Sequence, residues 1–150
     1  MAFVILGAWS LGAREYEPFE PGWTVEACGE PCVVTHNVGG RVRSFLDAVA
    51  DILVDGRHLV IDGYCGSSCA LAADKARPLV CITDRAVLGV HKMATWKRSG
   101  GKFVVDRFLN MPFSPDIAEL IEARGGQPED PPLEIRFEDL RRFFPVCPAG

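Results

Sequence analysis

The sequence has no excess of positive charge and no long apolar run. Its 150 residues include 16 basic and 20 acidic side chains, which gives a net charge of −4. Without a basic surplus to neutralise phosphates, nucleic-acid binding has no electrostatic support. No apolar stretch approaches the ~20 residues that a membrane-spanning helix requires. Nucleic acid is therefore not an expected partner, and a stable membrane span is not an expected element.

The sequence also lacks internal repeats, low-complexity tracts and Cys-x-x-Cys pairs. No histidine lies at ligand spacing from a cysteine, so zinc is a minor alternative to disulfides, and no metal or other cofactor is predicted. What is present is a 48% apolar composition, which is typical of a folded globular chain. The length suits one domain, which we place at residues 14–150.

The number of cysteines, six, bears on whether the protein folds in an oxidising or a reducing compartment. An even number favours disulfide bonds and an oxidising environment. Residues 1–13 are apolar or small except for Ser10, and this length matches the apolar core of a signal peptide, although a positively charged start is missing. A buried strand is the alternative for this segment. We expect a periplasmic or secreted protein, with the cytoplasm as the alternative.

The cysteine spacing suggests pairs without fixing them. Cys69 on a predicted helix and Cys81 on the next predicted strand form the pair we favour. Cys28 and Cys32 are left to pair with each other or with Cys147.

Hydrophobic periodicity predicts an α/β fold with a mostly parallel sheet. Short apolar or β-branched runs predict strands at 32–35, 59–61, 79–82 and 87–90, and apolar residues at helical spacing predict a helix from Val42 to Leu53. A second helix follows Ser67 or Ser68, a third opens at Ser114–Asp116, and a last one spans Phe137–Phe144. Residues 92–101 are predicted to form a loop. Alternating strands and helices are typical of this fold class.

Ser67 stands between a buried strand and the helix that follows it. A hydroxyl at such a junction lies at the carboxyl edge of the sheet, and the helix N-terminus supplies N–H groups for a developing anion. The G-x-S-x-G pattern of a nucleophile elbow is absent, since Cys69 replaces its second glycine. The alternative is that Ser67 and Ser68 only cap the helix.

His91 and Gly39 complete a candidate site. His91 ends the strand next to the Ser67 turn, where a general base would stand, and we expect its ring ~3 Å from the Ser67 hydroxyl, or somewhat further. His36 and His58 are interpreted as structural. Gly39 and Gly40 follow a strand directly, so the Gly39 and Ser68 amides could form an oxyanion hole.

Together, three segments resemble the Clp-type serine proteases of the crotonase-like superfamily. They are NVGGRV (37–42), GYCGSSC (63–69) and AVLGVH (86–91), in the order and spacing of that family, and the closer likeness is to its small exported or phage-associated members. The resemblance covers residues 33–92, about 40% of the chain. It implies a single crotonase-like domain built from ββα-type units, with Ser67 as nucleophile, His91 as base, and the Gly39 and Ser68 amides as oxyanion donors.

The chain departs from the family after His91, where the long helix that builds the family's ring interface has no counterpart. Ring assembly is therefore not expected, and a homo-oligomer of another kind is left open. The acidic member of the triad has no clear match either. Glu134 is the candidate we favour, Asp106 and Asp130 are alternatives, and a dyad without an acid is the remaining option.

The resulting prediction is a serine hydrolase, of peptidase type, that acts on a peptide or protein. Cys65 or Cys69 as nucleophile is disfavoured by the even cysteine count. One rival function is a catalytically silent binding or envelope protein of the same fold, stabilised by disulfides. The other is a crotonase-type acyl-thioester enzyme, which lacks a basic patch for the phosphates of coenzyme A.

Overall fold

A computed structural model describes residues 30–149. The signal-like segment at residues 1–13 lies outside this range. The described part contains four α-helices: α1 (Val42–Asp55), α2 (Ser68–Lys75), α3 (Pro115–Ala123) and α4 (Phe137–Leu140). It contains seven strands: β1 (Cys32–Asn37), β2 (Leu59–Gly66), β3 (Val80–Ile82), β4 (Val87–Val90), β5 (Met93–Ser99), β6 (Lys102–Leu109) and β7 (Leu133–Arg136).

Strand β2 organises the main sheet. It pairs in parallel with β1 on one side, and with β3 and then β4 along the other. Strand β7 closes the sheet by pairing antiparallel with β4. The mixed α/β class and the mostly parallel sheet are therefore confirmed.

The two faces of this sheet differ in burial, because successive side chains on a strand point to opposite sides. One face is packed and supplies Val34, Leu59, Ile61, Leu88 and Ile135, each at most 5% exposed. The other face is open in the described residues: Val33 is 51% exposed. The hydrophobic core thus lies on one side of the sheet, under the helices.

Helix α1 follows the predicted periodicity. Its buried residues are Phe45, Ala48, Val49 and Ile52, which recur at the spacing of one helical face. Gly56 ends the helix with φ +66° and donates its N–H to Ile52 O. That left-handed conformation is the usual reason for glycine after a helix.

Strand β2 continues to Gly66, beyond the strand that the sequence predicted at 59–61. A Cβ atom on Gly63 would lie 2.0 Å from Thr35 O, at the place where the β1–β2 register shifts between Val34 and His36. Gly63 therefore marks a bulge at which β1 and β2 approach each other closely.

The predicted loop at 92–101 is wrong, because it forms the first strand and the turn of a β-hairpin. Strands β5 and β6 pair antiparallel around Gly100 and Gly101, which both have positive φ. Their side chains are largely exposed on both faces. Exposure on both faces leaves no alternation of polar and apolar residues to indicate a strand.

The disulfides also correct a prediction. The structure pairs Cys65 with Cys69 and Cys81 with Cys147, so the predicted Cys69–Cys81 pair is wrong. Val80 and Ile82 point into the core, so Cys81 between them faces away from α2 and Cys69. Cys32 is disulfide-bonded as well.

The C-terminal segment runs beside β3 and thereby brings Cys147 to Cys81. Ile82 N–H donates to Pro145 O at 3.0 Å, and Cys147 N–H donates to Ile82 O at 2.9 Å. Disulfides are typical of proteins from oxidising compartments. Within residues 30–149, no helix has the length and apolar character to cross a bilayer.

An ion-pair network around the buried Asp74 attaches α3 to the end of α2. The side chain of Asp74 is fully buried and pairs with Arg77, and it accepts the Ser114 N–H at 2.7 Å. Arg77 also pairs with Asp116 at 2.6 Å. The Arg77 hydrogen bond lowers the pKa of Asp116 below its usual range.

Candidate active site

Ser67 lies where β2 ends and α2 begins. Its backbone has φ 57° and ψ −124°, and it is the one non-glycine residue with positive φ among residues 30–149. These angles are those of the first central position of a type II′ turn, where glycine is usual because a Cβ crowds the backbone. Ser67 occupies the N-cap position of α2, but its side chain makes no capping hydrogen bond.

The Ser67 turn is held by β4 and by α2. Ser67 N–H donates to Gly89 O at 2.7 Å, and Leu71 N–H donates to Ser67 O at 3.2 Å. Gly66 pairs with Gly89 in parallel register. Ser67 and the residues that follow Gly89 therefore lie at the carboxyl edge of the sheet, where open α/β sheets bind their ligands.

The loop between β1 and α1 packs against this turn. A Cβ atom on Gly39 would lie 2.6 Å from both Gly66 O and Ser67 Cβ, and 2.9 Å from Ser68 N. Gly39 also has φ +86°, so both space and backbone conformation require glycine. The structure thus places Gly39 directly beside Ser67 and Ser68.

The Ser68 hydroxyl ties the loop to the helix. It is buried and accepts the Gly40 N–H at 3.2 Å, while its own hydrogen is donated to Gly40 O in a short bond. The sequence assigned Ser68 only a backbone role. Its side chain therefore has a structural role that the sequence analysis missed, since nothing in the pattern pointed to a partner 28 positions away.

The two predicted oxyanion donors differ in their hydrogen bonding. Ser68 is the first residue of α2, where N–H groups have no acceptor within the helix and the helix dipole is positive. Gly39 N–H instead donates to Asn37 Oδ1 at 2.8 Å. Asn37 therefore holds an acceptor oxygen at the Gly39 amide.

His91 follows β4 and is half-buried. Its Nδ1 lies 2.6 Å from Lys92 O. A carbonyl oxygen only accepts hydrogen bonds, so Nδ1 carries the proton of the neutral ring and Nε2 keeps its lone pair. Within the described residues, no hydrogen bond joins the ring to the Ser67 hydroxyl.

Glu134 is the predicted acidic member of the triad. It lies opposite Gly89 on β7, and its carboxylate pairs with Arg136. The acceptor at His91 Nδ1 is the Lys92 carbonyl, and a backbone carbonyl has no signature in the sequence. The role of Glu134 as acidic triad member therefore stays a prediction, without a contact to His91 among the described residues.

The alternative acid, Asp106, forms ion pairs on the β5–β6 hairpin. It pairs with Lys97 at 3.0 Å and with Arg107 at 3.3 Å. The hydrogen bond from Lys97 is the main cause that lowers the pKa of Asp106. These contacts make it a charged surface group of the hairpin.

Tyr64 supports the sheet beneath the candidate site. A Cβ on Gly89 would lie 2.2 Å from Tyr64 Oη, and one on Gly66 would lie 2.6 Å from Tyr64 Cε1. The ring thus covers two paired glycines, an arrangement in which an aromatic side chain replaces the missing cross-strand contacts. Burial, together with the negative charge of Glu134, raises the pKa of Tyr64. Two glycines near an aromatic residue were the available signal, but only the strand pairing shows that they meet.

Comparisons with known proteins add no family. No protein-family model, no curated protein and no solved structure matches the chain. What the site can do is therefore argued from its own residues.

Proposed function

We propose that this chain is a serine hydrolase of the crotonase-like, Clp-type superfamily, with Ser67 as nucleophile and His91 as general base. The observation that carries the proposal is the backbone conformation of Ser67. Positive φ at a non-glycine residue costs free energy and is concentrated at functional sites. Glycine would form the same turn without that cost, so a side-chain function is the reason for serine.

The proposed chemistry uses the Ser67 hydroxyl and the His91 ring. The Ser67 hydroxyl attacks the substrate carbonyl carbon while Nε2 of His91 accepts the hydroxyl proton. The tetrahedral intermediate collapses, and the same proton passes to the leaving amine or alkoxide. Water then attacks the acyl-enzyme while Nε2 of His91 accepts a proton from the water. The proton passes to the Ser67 oxygen, and the carboxylic acid product is released. The Lys92 carbonyl keeps Nδ1 protonated, which leaves Nε2 as the basic nitrogen throughout.

The oxyanion is bound at the N-terminus of α2. Ser68 N–H supplies one donor, and Gly39 N–H supplies the second once the oxyanion takes the place of Asn37 Oδ1. The Gly39 N–H thus donates to Asn37 Oδ1 in the free enzyme and to the oxyanion in the transition state, so it has a hydrogen-bond acceptor in both. Anionic oxygen is the stronger acceptor of the two, so the exchange favours the transition state.

The proposed substrate is a peptide or protein, and the proposed location is the periplasm or the cell exterior. The described residues contain no free cysteine. Two complete bridges and the bonded Cys32 support folding in an oxidising compartment.

The test is reaction with a fluorophosphonate, which phosphonylates a nucleophilic serine and releases fluoride. We expect one label, mapped by peptide mass to Ser67. Ser67→Ala should abolish it, and His91→Ala should slow it by several powers of ten, because nucleophile and base act together. Ser99→Ala, at the exposed tip of the β5–β6 hairpin, is the matched control and should label like the wild type.

A silent binding protein is the second candidate. It is favoured by the occupied Gly39 amide and by the lack of a Ser67–His91 hydrogen bond. Folded wild type that takes no label and hydrolyses no ester or peptide reporter would establish this reading and refute the hydrolase.

A further inference from the structure

We infer that the Cys65–Cys69 disulfide is a positioning element that holds Ser67 in its reactive conformation. The inference rests on the proposed function of Ser67 and extends it to the state of two cysteines. The bridge encloses three residues, and Ser67 is the middle one.

The two ends of the bridge are anchored in different elements. Cys65 pairs in register with Asn37 on β1 and Leu88 on β4, and Cys69 belongs to the first turn of α2. Both are fully buried, at 0% and 1% exposure. The bridge thus connects a fixed strand to a fixed helix across the turn.

The enclosed chain is short, which limits its conformations. Four peptide units span about 14 Å when extended, but the Cα atoms of Cys65 and Cys69 are 5.2 Å apart. The chain must therefore reverse direction within Gly66, Ser67 and Ser68. Positive φ at Ser67 achieves that reversal.

Without the bridge, the unfavourable backbone of Ser67 has fewer restraints. The Gly89 hydrogen bond and the Ser68–Gly40 hydrogen bonds remain, but neither fixes the distance between strand and helix. Relaxation of Ser67 toward negative φ would move its hydroxyl and the neighbouring Ser68 N–H together. Displacements of about 1 Å are enough to reduce a catalytic rate about 100-fold.

The second bridge provides a matched control. Cys81–Cys147 closes a loop of 66 residues, compared with 4 for Cys65–Cys69. Loop-closure entropy predicts that its loss lowers stability by roughly twice as much. It joins β3 to the C-terminal segment, so it encloses no residue of the Ser67 turn.

The experiment compares C65A/C69A with C81A/C147A in fluorophosphonate labelling rate, melting temperature and amide hydrogen exchange. We expect C65A/C69A to label about 100-fold more slowly, with a small loss in melting temperature and faster exchange at the Ser67 N–H. We expect C81A/C147A to melt at a lower temperature than C65A/C69A, yet to keep the labelling rate and the Ser67 protection of the wild type. If C65A/C69A does not fold, C65V/C69A replaces the two sulfur atoms by two methyl groups and is measured instead.

The outcomes separate this inference from the proposed function. A folded bridge variant that labels at the wild-type rate, with Ser67 still protected, overturns the inference and leaves the hydrolase intact. An unlabelled wild type refutes the hydrolase, and the exchange measurement then still decides whether the bridge restrains the turn. Equal loss of labelling in both variants would show a general stability effect and overturn the inference.

Discussion

Replacing Ser67 by glycine should stabilise the fold relative to replacing it by alanine. Both changes remove the hydroxyl, and the side chain makes no capping hydrogen bond that either would lose. They differ in the Cβ atom, which alanine keeps at φ 57° and glycine lacks. The comparison therefore reports the free-energy cost of the Ser67 backbone conformation, offset by the greater freedom that glycine gives the unfolded chain.

The expected difference is the balance of two effects. Holding a non-glycine residue in a sparsely populated region costs ~1–3 kcal/mol, which glycine avoids. Glycine gives the unfolded chain more conformational freedom, which costs roughly 0.5–1 kcal/mol relative to alanine. Ser67→Gly should therefore be more stable than Ser67→Ala by about 1 kcal/mol, or about 3 °C in melting temperature for a chain of this size.

Urea unfolding of the two variants under oxidising conditions measures this difference directly. Neither variant should react with a fluorophosphonate, because both lack the Ser67 hydroxyl. If Ser67→Ala is as stable as Ser67→Gly or more so, the conformation is not costly. The presence of serine at position 67 would then need no side-chain function to explain it.

Two further predictions concern residues around this turn and the ion-pair network. Gly89→Ala should destabilise the wild type but cost much less in a Tyr64→Ala background, because the added Cβ meets the tyrosine ring. A double-mutant cycle of unfolding free energies measures this coupling, and additive losses would contradict the contact. Asp116 should stabilise the fold above its unfolded pKa of 3.8 and lose that contribution as pH falls through its lowered folded pKa. The stability difference between wild type and Asp116→Asn, followed by urea unfolding from pH 7 to pH 3, should therefore shrink below about pH 4; a constant difference would show that the Arg77 pairing does not stabilise.

Much of the main sheet could be predicted because burial leaves a periodic pattern. Helix α1 buries one apolar face, although Val54 near its end is 86% exposed. Strand β4 is a short run covered on its packed side. The position of Ser67 followed from the same pattern, since a strand and a helix must meet there. The nearest sequence signal for the β5–β6 hairpin was Gly100–Gly101, which was interpreted as part of a loop.

The wrong Cys69–Cys81 prediction shows a second reason why a sequence pattern can mislead. Cys81 lies in a strand of three residues, which is too short to show by alternation which side faces the core. Its neighbours, Val80 and Ile82, fill the packed side, so Cys81 points to the other one. The C-terminal segment that pairs with β3 has no strand pattern of its own. The partner of Cys81 thus depends on tertiary structure that no local signal contains.

The hydrogen-bond partner of His91 could not be predicted for a similar reason. The sequence pointed to acidic side chains, whereas the acceptor of the His91 Nδ1 proton is Lys92 O. Every residue has a carbonyl group, so composition and spacing contain no trace of this contact. The same holds for Ser68, whose partner is the backbone of Gly40.

The features around Ser67 have in common that each limits the conformations of one turn. Gly39 leaves no room for a Cβ between the loop and the turn, the Ser68 hydroxyl fastens that loop to α2, and the bridge from Cys65 to Cys69 fixes the two ends. A strand-to-helix connection with only a structural role has no need of these restraints, because glycine at position 67 would adopt the same angles without a steric penalty. The restraints are required only if a side chain must be held at that position despite its cost. The proposed function accounts for them, because nucleophilic catalysis requires a hydroxyl held in a fixed position near a helix N-terminus.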